Sequence, residues 1–316
     1  MEIERPYTRP LRSLVFAPGD DADALVATAA SGADAMVVDR EEPRTPYSEP
    51  DRVRGRRVAR EFFDSRDPEA LPWIFARVQP PSTGMTWRDL DAVVSPALKG
   101  ILLRKIVSPA YVHAADAQLT CVEVEHGLPR GSLLIYPILE TANAIRIAYD
   151  IAMASPRVGY MGGAISRFGD IHQAIGFRWT AEGEETLFLR SKVLVDARAA
   201  GIRYPISGMW GGGIHELDAL RDFAVGLRNL GYYGMMLGHA GHVPLVHEVF
   251  SPTAAELAYW LELDALATAA EEAQRETGGD KILHGDPSQG EGHVVHIAHV
   301  GSARRNLAWA RDLGLL

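Results

Sequence analysis

Short apolar runs alternate with helical patterns along almost the whole chain. Eight runs have the near-continuous hydrophobicity of parallel strands covered on both faces. They are LRSLVFAPG (11–19), DAMVVDRE (34–41), PWIFARVQP (72–80), GILLRKIV (100–107), SLLIYPILE (132–140), RVGYMGG (157–163), RYPISGMW (203–210) and YYGMMLGH (232–239). Helical segments fill the gaps. Three of them stop at a glycine, at Gly32, Gly201 and Gly231, and TANAIRIAYDIAMASP opens on Thr141, a good N-cap. Repeated strand–helix units predict a (β/α)8 TIM barrel over residues 1–250. An open doubly wound sheet is the competing architecture. Its first turn would carry a G-x-G-x-x-G pattern, and APGDDAD does not.

Residues 251–316 form a C-terminal helical extension. A long helix is predicted from FSPTAAELAYWLELDALATAAEEAQRETGGDK, with Ser251 as cap and Pro252 at its first position. A loop or hairpin and a last helix follow. Such a tail suits a lid or an oligomer arm.

Composition narrows the function. The 316 residues are 47% hydrophobic and 23% charged, an ordinary globular balance. A net charge of −9 argues against nucleic acid, and the one dense basic cluster, RVRGRR at 52–57, lies on a predicted helix. The single cysteine, Cys121, rules out an internal disulfide and a cysteine zinc site, and suits a small core position. No apolar run approaches the ~18 residues of a membrane span. The opening MEIERPYTRPLRS lacks the apolar core of a signal peptide, so a cytoplasmic protein without membrane contact is expected.

In a barrel of this kind, chemistry gathers at the C-terminal ends of the strands. The polar residues there are Asp39, Glu41, Glu42, Arg77, Lys105, Glu140, Ser166, Arg167, Asp170, His239 and His242. Each has a purely structural alternative. Arg77 could pair with Glu41 or Glu42, Glu140 could serve a helix dipole, Asp170 could cap a helix, and Lys105 could close a salt bridge. Together they resist that account, because carboxylates crowded on one rim repel at ~1 kcal/mol per close pair in water. Something positive belongs among them. Oxygen donors without cysteine suit a hard ion such as Mg2+, with Mn2+ as the alternative.

The order of these segments resembles the citrate lyase beta-subunit-like branch of the HpcH/HpaI aldolase superfamily, which includes malyl-CoA and citramalyl-CoA lyases. RSLVFAPGD resembles that branch's opening strand, and SGADAMVVDREEP its GADAVILDLEDAV. ARVQP stands at its arginine followed by Val/Ile-Asn-Pro; GILLRKI is similar to GIVLPKV, PILETANAI to ALIETARGI, and LVHEVFSP to VVNEVFSP. The likeness spans roughly residues 11–252 and weakens in the tail. It implies that Glu140 and Asp170 ligate Mg2+, and that Arg77 binds the carbonyl oxygen that becomes an enolate. Glu41 and Glu42 would line the metal site. Arg12, Lys105, Arg167 and His239 would contact the substrate, a keto acid or an acyl-CoA. A homotrimer or homohexamer is implied, its tail reaching a neighbouring subunit.

Four departures stand out. The family's LED is Arg40-Glu41-Glu42 here, with Arg40 expected to point outward by strand alternation. Ser166–Gly169 reads SRFG where relatives carry an acid before the aspartate, a change that favours an extra anionic group on the substrate. HAGH (239–242) replaces HPSQ. GHVVH (292–296) replaces GxMID, so His296 stands where relatives have a tail aspartate acting as acid/base. Four functions stay open: a Mg2+-dependent carbon–carbon lyase or aldolase, a thioester hydrolase on the same site, a Schiff-base aldolase using Lys105, and a non-catalytic subunit. The histidines of HVVHIAH (293–299) also suggest a transition-metal site, without a third ligand type to complete it.

Overall fold

The computed structural model describes residues 3–41, 47–163, 165–277, 283–286, 290–295 and 297–316. Glu42 and His296, both expected at the site, lie outside them. The chain divides into two compact units, Met1–Phe250 and Ser251–Leu316.

The first unit is a barrel of eight parallel strands. They are β1 (Ser13–Pro18), β2 (Ala35–Asp39), β3 (Trp73–Arg77), β4 (Leu98–Leu103), β5 (Leu134–Leu139), β6 (Gly162–Gly163), β7 (Ser207–Met209) and β8 (Met235–Leu237). Their order is β6-β5-β4-β3-β2-β1-β8-β7. The seam between β6 and β7 is bridged by the Ile206 N–H donating to the Met161 carbonyl at 3.4 Å. The last three strands are far shorter than their apolar runs. Gly162 and Gly208 sit where the chain turns close against its neighbours: an added side chain would strike the Ile206 carbonyl at the first and the Ile165 side chain at the second.

Register decides what faces the lumen. Phe75 on β3, Tyr136 on β5 and Tyr160 just before β6 stack edge to face or tilted, with ring centres 5.9 to 6.5 Å apart. Rings on strands two apart can meet only through the barrel interior. Phe16, Val37 and Phe75 are register partners, as are Arg77, Leu102 and Tyr136, and Phe75 and Arg77 are two apart on β3, so all of them share that face. Stepping two residues onward puts Asp39, Arg77 and Arg104 on the lumen at its C-terminal end, and Glu140 follows Tyr136 at a spacing of four. The alternate residues, among them Val38, Ala76, Ile101, Leu103 and Ile135, join the helices in the main core.

Arg40 follows that alternation with a difference. It points away from the lumen as expected, yet it is wholly buried. Outward here means into the helix layer: its guanidinium donates to the Tyr47 hydroxyl and the Arg52 carbonyl, both 3.1 Å, beside Gly55 of the helix Glu49–Asp64. Cys121 also departs from expectation. It is exposed on the helix Pro109–Glu125 instead of filling the core. Thr141 does cap its helix, accepting from the Ala144 N–H at 3.0 Å.

In the second unit, the helix Ala254–Thr277 runs antiparallel to Ile297–Asp312, with Trp260 near Trp309 and Arg304 bonding Asp264 and Glu271. Its cap is Thr253, not Ser251: the Thr253 hydroxyl accepts from the Glu256 N–H, and Glu256 accepts from the Thr253 N–H. The capping box wins because it satisfies two terminal donors at once. Strands β9 (Leu283–Asp286) and β10 (Gly290–Val295) form an antiparallel hairpin. Among the described residues, no helix is long and apolar enough to cross a membrane.

Candidate active site

A cleft of about 520 Å³ opens at the C-terminal end of the barrel, lined by residues from or just beyond all eight strands. Its floor is a lattice of opposed charges. Arg77 and Asp39 are paired partners of the β2–β3 ladder, and their side chains form a two-pronged ion pair, with Nε to Oδ1 at 2.9 Å and Nη2 to Oδ2. The sequence suggested Glu41 or Glu42 as the partner of Arg77. Glu41 is 3.8 Å away, and Asp39 holds the fork because it lies directly opposite in register. The Arg77 guanidinium also rests over the Phe16 ring at 5.3 Å. Burial disfavours its charge, but Asp39 first, then Glu140 and Asp170, outweigh that and hold its pKa above the ordinary arginine value.

Glu41 follows β2 on a backbone fixed from three sides. Its N–H donates to Asp39 at 3.0 Å, and its carbonyl accepts from Gln79 and from Arg52, both at 2.9 Å. Its carboxylate is thereby buried at the cleft floor.

The residue that organises the centre is Arg104. Its three guanidinium nitrogens each meet a different carboxylate: Nη1 Glu41, Nε Glu140 at 2.9 Å, and Nη2 Asp170. The contact with Glu41 is a charge pair without hydrogen-bond alignment. Lys105 was expected to project into the site from strand four. Alternation gives that place to Arg104, and Lys105 turns into the left-handed region at φ 51. Its N–H donates to Glu140 Oε1 at 2.8 Å, while its ammonium stays half exposed, 3.8 Å from Glu41. Sequence reading passed over Arg104, although it replaces the proline in the family's GIVLPKV.

The other expected residues divide. Asp170 is not a cap; Gly169 holds that place, and Asp170 opens the short helix Asp170–Ile175 facing Arg104. Arg167 lines the cleft, its guanidinium near both the Phe168 ring (4.7 Å) and the Trp179 ring (5.2 Å). His239 is exposed one residue beyond Gly238, which lines the cleft, and accepts from the Gly241 N–H at 3.1 Å. Arg12 is not brought to the others. It precedes β1, at the N-terminal end of the barrel, and chelates Asp34 with Nε and Nη2 at 2.8 Å.

Residues 12–240 match the family model described as HpcH/HpaI aldolase/citrate lyase. The chain belongs to this family. A citrate lyase subunit beta-like protein of Deinococcus radiodurans is 32% identical, over 83% of this chain and 87% of its own. A (3S)-malyl-CoA thioesterase of Cereibacter sphaeroides is 26% identical over 96% of each chain. Protein CitE of Mycobacterium tuberculosis, solved in complex with magnesium, acetoacetate and coenzyme A, superposes with a TM-score of 0.65 at 22% identity, covering 96% of this chain and 98% of that one. The family relatives thus carry both a lyase subunit's name and a hydrolase's, on one barrel.

Proposed function

We propose that the chain is a carbon–carbon lyase or aldolase that cleaves or forms a small β-hydroxyacyl or hydroxy-keto acid through an enolate. The observation that carries this reading is Arg77, a nearly buried guanidinium held by Asp39 and Phe16 with its edge on the cleft. In the cleavage direction the hydroxyl of one carbon loses its proton and becomes a carbonyl. The carbon–carbon bond breaks, and its electron pair passes to the neighbouring acyl oxygen as an enolate, later quenched by a proton on carbon. Arg77 binds that oxygen, where charge develops, and costs no reorganisation as it does so. Asp170 takes the hydroxyl proton. Its side chain is 36% exposed, against 13% for Glu140 and 2% for Glu41, so it is the most open of the three to substrate.

Magnesium is the ion that the resemblance leads one to expect at Glu140 and Asp170, and such oxygen donors suit it chemically. The residues do not fit it as they stand, because Arg104 engages both of them and Glu41 as well. Among the described residues, no three His, Cys, Asp or Glu side chains are arranged to hold a metal ion.

A second reading, a thioester hydrolase on the same site, is favoured by the likeness to the (3S)-malyl-CoA thioesterase along nearly the whole of both chains. Product analysis with malyl-CoA, citramalyl-CoA and oxaloacetate-derived hydroxy acids separates the two. A lyase yields two carbon fragments; a hydrolase yields an intact acid and a free thiol. Turnover of none of them would sink both readings.

A further inference from the structure

We infer that Arg104 is the resident cation of this site, taking the position a divalent ion would hold, so that anionic substrate binds without metal. The inference rests on the proposed reading only for the class of substrate; the placement of Arg104 stands on geometry.

Three observations support it. One guanidinium meets three carboxylates, one nitrogen each, and those carboxylates come from the ends of three different strands or loops. Its hydrogen bonds to Glu140 and Asp170 are the strong, charge-assisted kind, and Glu41 adds a charge pair at the third nitrogen. The backbone is also bent to achieve it. Lys105 adopts φ 51, unusual for a residue with a side chain, and this conformation directs its N–H to the same Glu140 oxygen that accepts from Arg104. Arg104 is 8% exposed, so its charge is not a solvated accessory.

The charge balance agrees. Arg77 is matched by Asp39, which leaves Glu41, Glu140 and Asp170 to be compensated by other groups. Arg104 supplies one positive charge among them, and Lys105 a second at 3.8 Å from Glu41. Arg167, on the cleft wall, adds a third. One of these cations, Arg104, stands where the family's segment carries proline, and Arg167 lies in the loop whose family counterpart carries an acid just before the aspartate. Together they deliver to one cleft the positive charge that a bound ion would bring, in side chains that cannot dissociate.

Mn2+ uptake by the whole protein, read by electron paramagnetic resonance, tests the proposal without any turnover. Wild type is expected to take up no Mn2+ dependent on Glu140. Arg104→Ala is expected to gain such a site, at least about tenfold tighter than any in wild type, and to lose it again when Glu140→Ala is added. Arg104→Lys, which keeps a charge at the centre, serves if the alanine variant does not fold, and is expected to stay free of Mn2+. Oxaloacetate binding to wild type, followed by calorimetry, is expected to change less than about threefold between EDTA and excess Mg2+. Glu140-dependent Mn2+ uptake by wild type, or oxaloacetate binding that disappears in EDTA, would overturn the inference. These readouts are independent of the reaction: a metal-free Arg104 site without lyase activity removes the proposed function alone, and a Mg2+-requiring lyase removes this inference alone.

Discussion

Asp39 and Arg77 are neighbours twice over, as register partners on adjacent strands and as a two-pronged ion pair. The pairing fixes both the position and the plane of the Arg77 guanidinium. Lysine cannot reproduce the fork. Arg77→Lys is expected to lower kcat about 10²–10³-fold, as loss of a preorganised oxyanion donor does. Asp39→Asn is expected to act mainly through Arg77, with a smaller loss in kcat and little change in folding. Steady-state kinetics beside thermal melts check both; an unchanged kcat in Arg77→Lys would contradict the role.

At the other end of the barrel, Arg157 pairs with Glu123 and Asp116 and donates to the Leu133 carbonyl. The Glu123 carboxylate is fully buried. Removing Arg157 leaves that charge uncompensated, so Arg157→Ala is expected to cost about 3–5 kcal/mol of stability. Urea denaturation measures it. Glu123→Gln added to the same chain is expected to recover part of the loss.

An acid-side loss of stability is expected from His247. Burial lowers its pKa, against the nearby Asp34 carboxylate and with the Arg12 charge. In the unfolded chain a histidine titrates near about 6.5. Below that value the unfolded chain binds the proton more readily than the folded one. Stability is therefore full above about 6.5 and falls as pH drops through the lower folded value. Asp34 adds to this further into acid: although its own burial opposes it, hydrogen bonds from Arg12 depress its carboxyl, and that stabilisation is lost as the group protonates. His247→Gln is expected to flatten the pH dependence of the melting temperature below about 6.5, by calorimetry across a pH series.

Gly162 has no room for a side chain. A methyl group there would enter the Ile206 carbonyl and the Tyr136 hydroxyl, both at the β6–β7 seam. Gly162→Ala is expected to destabilise the barrel by about 1–3 kcal/mol, with amide exchange rising first around residues 161–163 and 206–209. Uniform exchange would show that the seam tolerates the change.

Schiff-base chemistry at Lys105 would leave a covalent trace. The Lys105 ammonium lies 3.8 Å from Glu41 with about half its surface in solvent, and Lys105 is not among the residues lining the cleft. Borohydride added with oxaloacetate or pyruvate is expected to trap no adduct by mass spectrometry. A trapped species at Lys105 would return the Schiff-base route.

The strand–helix alternation, the barrel and the rim carboxylates were legible in the chain because their signals are local. A buried parallel strand must be apolar throughout, and a helix must stop somewhere, at a glycine or a cap. Even the lumen-facing set was implicit, since period two in phase from Phe75 reaches Arg77, and from Tyr136 reaches Glu140. Partner choice was not. Which acid holds Arg77 depends on the β2–β3 register, and Arg12 falls at the wrong end of its strand for the site. Arg40 could be assigned a side of the sheet but not its burial, because the helix layer over it is built from distant segments. Arg104 was visible as a letter in GILLRKI, yet its meaning depends on three carboxylates separated by up to 129 positions. Local sequence sets which way a side chain points; only closure of the barrel brings opposite charges from different strands to one point, and there electrostatics select the partner.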